Sequence, residues 1–179
     1  MKHEKIGVFL SSKSKLSPAY IEAAQKVGQW IGRTGRTLVY GGSASGLMEV
    51  LARNVKKNGG RVYGMVPDII VQRGLASECI DVTFRCADLT DRKDMMTRES
   101  DVLVVLPGGI GTLDEAFTVM ANSSIGLVHK PVIFLNIDGC WSPLLYALES
   151  LYSQGLVSGN PQALYQVAES VEALEQMLE

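Results

Sequence analysis

Six short runs rich in Val, Ile and Leu recur along the chain, with longer amphipathic stretches between them. The runs are residues 6–10, 37–40, 61–66, 80–84, 101–106 and 131–136. Such runs are typical of strands buried on both faces of a parallel sheet. The amphipathic stretches predict helices over residues 17–34, 46–58, 88–100, 112–124, 142–153 and 170–178. This alternation predicts an α/β protein with a doubly wound parallel sheet and right-handed crossovers.

Length and composition agree with that fold class. The chain has 179 residues, which is enough for one domain of ordinary size. Its residues are 46% hydrophobic and 20% charged, as in globular rather than disordered proteins. No internal repeat, low-complexity tract or linker divides the sequence. We therefore predict that residues 1–179 form a single Rossmann-like domain.

Charge and residue usage exclude several classes of partner. The net charge of −2 predicts neither nucleic acid nor an anionic membrane as a bulk partner. No apolar run approaches the roughly 18 residues of a membrane span, and no signal peptide is evident. Cys79, Cys86 and Cys140 form no CxxC pair, so we expect free thiols and a cytoplasmic location. His3 and His129 lack metal-ligand spacing, so no metal site is predicted.

Three loops follow predicted strands at the edge where doubly wound sheets bind ligands. They are residues 10–17, 40–46 and 107–112. Two of them are rich in glycine and precede helices. Their glycines are Gly41, Gly42 and Gly46 in one loop and Gly108, Gly109 and Gly111 in the other.

Glycine at a strand-to-helix turn leaves backbone N–H groups uncovered in front of the helix dipole, which favours an anion such as phosphate. Neither loop is a Walker A motif, and neither is a GxGxxG motif in the first βαβ unit. A tight turn without a ligand is the alternative for each loop. Two such loops in one sheet favour the binding interpretation.

Glu115 allows two interpretations. Thr112 and Glu115 have the spacing of a capping box, in which Thr112 is the N-cap and Glu115 binds back to its N–H group. The sequence also permits a functional carboxylate after the Gly-rich loop. Asp114 is equally compatible with a solvated acid that the helix dipole favours.

Arg92 lies on an apolar stripe of the predicted 88–100 helix. Leu89, Arg92 or Lys93, and Met96 follow one another at helical spacing. An inward arginine needs a carboxylate or a bound phosphate as partner, because an unpaired buried charge is costly. The alternative is a surface arginine that pairs with Asp88 or extends past its neighbours to water.

The sequence resembles the LOG family of cytokinin-activating phosphoribohydrolases. PGGIGTLDE (107–115) is similar to the family's PGGxGTxxE motif, and DRKDMM (91–96) is similar to its RK-x-x-M segment. The segments LVYGGSASGLMEVLARNVKKNGGRVYGMVPDII and KPVIFLNIDGCWSPLL also resemble family segments. The resemblance covers roughly residues 5–155.

The resemblance implies hydrolysis of the N-glycosidic bond of a nucleoside 5′-monophosphate, such as AMP or an N6-modified AMP. It assigns catalysis to Arg92 and Glu115. It places the substrate on further positions, namely Gly41, Gly42, Ser43, Lys93, Gly108, Gly109, Gly111, Thr112 and Asp114. It also implies a Rossmann-like fold, no metal or organic cofactor, and a homodimer or higher homo-oligomer. The helices of residues 88–124 are the expected interface.

The sequence departs from the family pattern in three places. Strand one ends in Leu10-Ser11-Ser12 where the family has Cys-Gly-Ser-Ser, and Gln72-Arg73-Gly74 stands where the family has Pro-Arg-Glu. Ala121-Asn122 replaces the Thr-Trp pair of plant members. In the family these positions lie at the base end of the site, so they affect the identity of the base more than the reaction.

Two other functions compete with the hydrolase. Molybdenum-cofactor carrier proteins use a similar scaffold to hold a phosphorylated pterin without turnover, but a carrier does not need both Arg92 and Glu115. A decarboxylase would need a Schiff-base lysine and a pyridoxal phosphate site. No lysine in the sequence is placed in such a pocket.

Overall fold

A computed structural model describes residues 3–157 and 160–179 of the chain. Within these residues seven strands form one sheet. They are β1 (Lys5–Phe9), β2 (Thr37–Tyr40), β3 (Arg61–Pro67), β4 (Val82–Cys86), β5 (Val102–Val105), β6 (Val132–Leu135) and β7 (Gln166–Ala168). Their order is β4-β3-β2-β1-β5-β6-β7, and every neighbouring pair is parallel. The predicted doubly wound α/β sheet is confirmed.

The helices connect consecutive strands or follow the last one. They are α1 (Pro18–Arg33), α2 (Gly46–Lys57), α3 (Asp68–Gln72), α4 (Leu89–Glu99), α5 (Ile110–Ser124), α6 (Ser142–Ser153), α7 (Pro161–Leu164) and α8 (Val171–Leu178). A 3-10 turn, Ile137–Gly139, follows β6. The sequence did not predict α3, α7 or β7, because three to five residues are too few to show a period.

Strand β4 lies two residues later than the apolar run that predicted it. Ile80 precedes the strand, and its side chain packs over Gly64 of β3. The Asp81 carboxylate accepts a hydrogen bond of 2.8 Å from the Val62 amide. Residues 80 and 81 therefore belong to the connection, although they begin the segment that was predicted as a strand.

Two hydrophobic cores cover the two faces of the sheet. Buried residues of α1, α2 and α8 pack on one face, and Trp30 of α1 is among them. Buried residues of α4 and α5 pack on the other face together with Trp141, which follows β6. Both tryptophans are buried. Strand β5 is buried along its whole length, which explains its continuous apolar run.

The switch point of the sheet lies between β1 and β5, which are neighbours although three strands separate them in sequence. Ser11, just after β1, connects the loops at this edge. Its amide donates a hydrogen bond of 3.2 Å to the Pro107 carbonyl, and its carbonyl accepts one of 3.1 Å from the Leu47 amide. The three loops that the sequence singled out therefore meet at the carboxyl edge, where such sheets bind ligands.

Candidate active site

Arg92 and Glu115 form a buried ion pair at the carboxyl edge of the sheet. Arg92 projects from α4 and Glu115 from α5, and Arg92 Nη2 lies 3.1 Å from Glu115 Oε1. Their side chains are 14% and 7% exposed. Asp88, the alternative partner of Arg92, instead caps α4 by accepting hydrogen bonds from the amides of Thr90 and Asp91. Arg92 is thus directed inward and has a carboxylate partner.

Burial controls the protonation of Glu115. The pKa of this carboxyl is raised from 4.5 to about 7, mainly by loss of solvent and in part by the neighbouring Asp114. Arg92 and Lys93 act in the opposite direction but do not cancel the effect of burial. A carboxyl whose pKa lies near neutral pH can accept or donate a proton under cellular conditions.

The capping-box interpretation of Thr112 and Glu115 is wrong. Helix α5 begins at Ile110 with Gly109 as its N-cap, three residues before the expected N-cap, Thr112. The Leu113 amide donates to the Gly109 carbonyl, so Thr112 already lies in the first turn. Both Thr112 and Glu115 are buried. The Glu115 side chain is therefore available to Arg92 rather than used for capping.

A second ion pair joins the same two helices. Lys93 Nζ lies 2.9 Å from both carboxylate oxygens of Asp114. The Lys93 side chain is only 16% exposed, whereas that of Asp114 is 53% exposed. This pair fixes α4 against α5 beside Arg92 and Glu115.

The loop after β2 is held by the protein itself. A Cβ atom at Gly41 would collide with the Arg92 guanidinium, and Gly42 and Gly46 have φ angles of +74° and +58°. The Ser43 side chain contacts Ser45, its hydroxyl oxygen lying 2.9 Å from that of Ser45. Contacts and backbone conformation therefore account for the glycines of this loop without a ligand.

The loop after β5 is different. A Cβ atom at Gly109 or Gly111 would meet no atom within 4 Å, and both residues are exposed. Only Gly108 is close to another group, since its Cβ would lie 2.1 Å from Thr112 Oγ1. The first amides of a helix have no partner within the helix, so open space above them suits an anion.

A cavity of about 370 Å³ opens beside this loop. Gly108 and Gly109 form one wall, and Lys13 and Tyr20 from the first loop and helix form another. Cys140 also lines it, and burial raises the pKa of its thiol to about 11. The thiol is therefore protonated at neutral pH and is a poor nucleophile.

Sequence reasoning missed Lys13, Tyr20 and Cys140. The only sequence signal was that the Ser-rich loop of residues 10–17 follows a strand. Which of its side chains enter the cavity depends on how α1 packs. Larger cavities, of about 480 and 690 Å³, involve residues 160–167. Neither includes Arg92, Glu115 or a Gly-rich loop, so neither is the candidate site.

The described residues show neither a metal centre nor a membrane-spanning helix. Across residues 3–157 and 160–179, no group of three or more His, Cys, Asp and Glu side chains is arranged to hold a metal ion. None of the helices described is both long and apolar enough to cross a bilayer.

Comparison with known proteins identifies the family. The family model described as "possible lysine decarboxylase" matches residues 48–178. The cytokinin riboside 5′-monophosphate phosphoribohydrolase LOG7 of Arabidopsis thaliana is 34% identical over 98% of this chain and 81% of its own. The chain belongs to the LOG family. A probable LOG-family enzyme of Oryza sativa subsp. japonica, LOGL5, is 37% identical over 86% of the chain and 63% of its own.

Solved structures of other proteins share the fold of this chain. The molybdenum cofactor binding protein of Rippkaea orientalis superposes with a TM-score of 0.74 at 24% identity, covering 99% of this chain and 96% of its own. The molybdenum cofactor carrier protein of Chlamydomonas reinhardtii gives 0.75 at 23% identity, covering 97% and 94%. At these identities the likeness establishes the shared fold alone.

Proposed function

We propose that this LOG-family protein hydrolyses the N-glycosidic bond of a nucleoside 5′-monophosphate, AMP or an N6-modified AMP, and releases the free base and ribose 5-phosphate. The buried Arg92–Glu115 pair beside an open Gly-rich loop carries the proposal. Relatives named as phosphoribohydrolases, at 31–37% identity, support it.

Glu115 acts on the sugar in this proposal. Departure of a base from ribose builds oxocarbenium charge, which a nearby carboxylate stabilises. A carboxyl with a pKa of about 7 can also take a proton from the attacking water as the C–O bond forms. The C–N bond breaks in the same process, and the base leaves with the electron pair of that bond. Glu115 then gives up the proton that it took from water, and the base takes up one proton, so the carboxylate is regenerated.

Arg92 and the Gly-rich loop hold the nucleotide. The phosphate lies at the amides of Gly109 to Thr112, where no Cβ atom fills the space at Gly109 or Gly111. Lys13, on the wall of the adjoining cavity, supplies positive charge. Phosphate binding of this kind positions the bond that reacts, because remote binding energy is used at the reacting centre. Arg92 orients Glu115 and assists departure of the base.

Base release is the direct test of the hydrolase. AMP, GMP, CMP and isopentenyl-AMP are supplied to the protein, and free base and ribose 5-phosphate are measured. Glu115→Gln is expected to reduce release by a factor on the order of 10²–10⁴. Glu172→Gln is the matched control, because Glu172 lies on α8 and its side chain is 66% exposed.

Two outcomes oppose the proposal. If the Glu115→Gln variant releases base at the wild-type rate, Glu115 has no catalytic role. No release from any nucleotide, by a folded protein that still binds one, favours a non-catalytic carrier of a nucleotide or of molybdenum cofactor.

We also propose that a second copy of the chain covers the exposed ends of α4 and α5. Leu89 and Ile110 begin these helices and are 60% and 83% exposed, so contact with a second copy would remove apolar surface from water. Light scattering after size exclusion is expected to give a dimer or larger assembly. Cross-links that map to α1 instead of α4 and α5 would place the interface elsewhere.

A further inference from the structure

Gly41 is a glycine for a reason different from that of its neighbours. Gly42 and Gly46 have positive φ angles, a conformation that side chains disfavour. Gly41 is not among the positive-φ glycines of the described chain, so its backbone conformation admits other residues. Space must therefore explain the absence of a side chain at position 41.

The space at Gly41 is filled by Arg92. An ideal Cβ atom at position 41 would lie 1.7 Å from Arg92 Nη2, 2.7 Å from Cζ and 3.0 Å from Nε. These are the three nearest heavy atoms to that Cβ. Any side chain at this position would displace the guanidinium, whose flexible stem can move, and would leave the backbone in place.

Polar contacts alone hold the guanidinium weakly. Its Nη2 atom meets Glu115 Oε1 at 3.1 Å, whereas its Nε atom is buried and has no hydrogen-bond partner in the described residues. A single contact defines an arginine's position less well than a bidentate pair does. Contact with Gly41 therefore helps to hold the Arg92 guanidinium next to the Glu115 carboxylate.

We propose that Gly41 is a positioning residue, whose missing side chain forms the slot that holds the Arg92 guanidinium against Glu115. This assignment replaces a direct phosphate contact as the reason for glycine at position 41. The expected effect of Gly41 on catalysis rests on the proposed hydrolase function. The positioning of Arg92 by Gly41 does not depend on that function.

A double-mutant cycle separates the two roles. If Gly41 acts through Arg92, Gly41→Ala changes the pKa of Glu115 and the kcat of the wild-type protein. It changes neither in the Arg92→Ala background, where the slot is empty. If Gly41 contacts the phosphate, its effect persists in that background. The Arg92→Ala background therefore serves as the matched control for Gly41→Ala.

The first measurement is the titration of the Glu115 carboxyl by ¹³C NMR, assigned with Glu115→Gln. Its charged neighbours are Arg92 and Lys93 from α4 and Asp114 from α5. Gly41→Ala is expected to raise the pKa of Glu115 by about 1 unit, because the nearby cation that lowers it has moved. Arg92→Ala is expected to raise the pKa of Glu115 at least as far. The double variant is expected to have the same Glu115 pKa as Arg92→Ala. An unchanged pKa in Gly41→Ala, or a further shift in the double variant, overturns the proposal.

Base release provides the second measurement. Gly41→Ala is expected to lower kcat by about 10²-fold, the cost of a misplacement on the order of 1 Å, with little change in KM. A raised KM with unchanged kcat assigns Gly41 to binding and overturns the proposal. If wild-type protein releases no base, the hydrolase fails while the titration cycle still decides the positioning role.

Folding of the variants gives a further check. Arg92→Ala removes the group that Gly41→Ala would strike, so the double variant is expected to fold even if Gly41→Ala alone does not. Failure of the double variant to fold, with Arg92→Ala folded, shows that the methyl group meets something other than Arg92, which contradicts the proposal.

Discussion

The two Gly-rich loops look alike in sequence but differ in what their glycines do. In the loop after β2, Gly41 faces Arg92, and Gly42 and Gly46 adopt positive φ. In the loop after β5, Gly109 and Gly111 face open space, and nothing in the described protein requires the loss of their side chains. Packing and backbone conformation explain the glycines of the first loop, whereas Gly109 and Gly111 of the second loop leave open space at the start of α5. A Gly-rich strand exit is therefore not by itself a binding loop.

The largest predicted effect is on the stability of the first loop. Gly46→Ala is expected to lower the free energy of unfolding by about 4 kcal/mol, from an unfavourable φ and a collision with backbone. A Cβ at Gly46 would lie 2.3 Å from the carbonyl carbon of Ser12. Urea unfolding measures the loss.

Gly35→Ala is the matched control for that prediction. Gly35 also has a positive φ, +69°, but its Cβ would meet nothing within 4 Å. We expect Gly35→Ala to lower the free energy of unfolding by about 1–2 kcal/mol, because only the unfavourable φ contributes. Equal losses at the two positions would show that the collision at Gly46 is relieved without cost.

A second effect concerns Glu115, which lies between the loops because α5 follows one and Arg92 rests on the other. Its pKa is about 7 in the folded protein and near 4.5 when exposed. The folded state therefore retains a proton between pH 4.5 and 7 that the unfolded state releases. Its contribution to stability is complete below pH 4.5 and falls by about 3 kcal/mol as the pH rises through 7.

That contribution is isolated as the difference in unfolding free energy between wild type and Glu115→Gln. Urea unfolding at several pH values from 4.5 to 7.5 should show the difference decline with increasing pH. A difference that instead grows with pH would mean that Arg92 outweighs burial and holds the pKa of Glu115 low.

The smallest effect is expected in the second loop. Gly111→Ala should raise the free energy of unfolding by about 0.5 kcal/mol, since alanine favours the helix and no atom obstructs its Cβ. Binding of ribose 5-phosphate, followed by calorimetry, should weaken about 10-fold because the methyl group enters the phosphate space. Ribose without phosphate is the control ligand. If Gly111→Ala binds ribose 5-phosphate as tightly as the wild-type protein, the open space at Gly111 is not a phosphate site, and the proposed difference between the two loops is wrong.

Much of the fold could be predicted because its signals are local. Buried parallel strands appear as apolar runs, and the helices between them have a clear period. The short elements α3, α7 and β7 were missed because so few residues carry no periodic pattern. The start of α5 was misplaced because Thr112 and Glu115 satisfy the spacing of a capping box equally well inside a helix.

Sequence alone determined six of the seven strands, the edge at which a ligand is expected, and the candidacy of Arg92 and Glu115, because each depends on residue types in a local pattern. Only the tertiary structure decided that these two side chains meet, that Gly41 faces Arg92, and that Lys13 enters the cavity. Those facts depend on how helices far apart in sequence pack on the sheet. Burial, which raises the pKa of Glu115, likewise arises only when the surrounding elements have assembled.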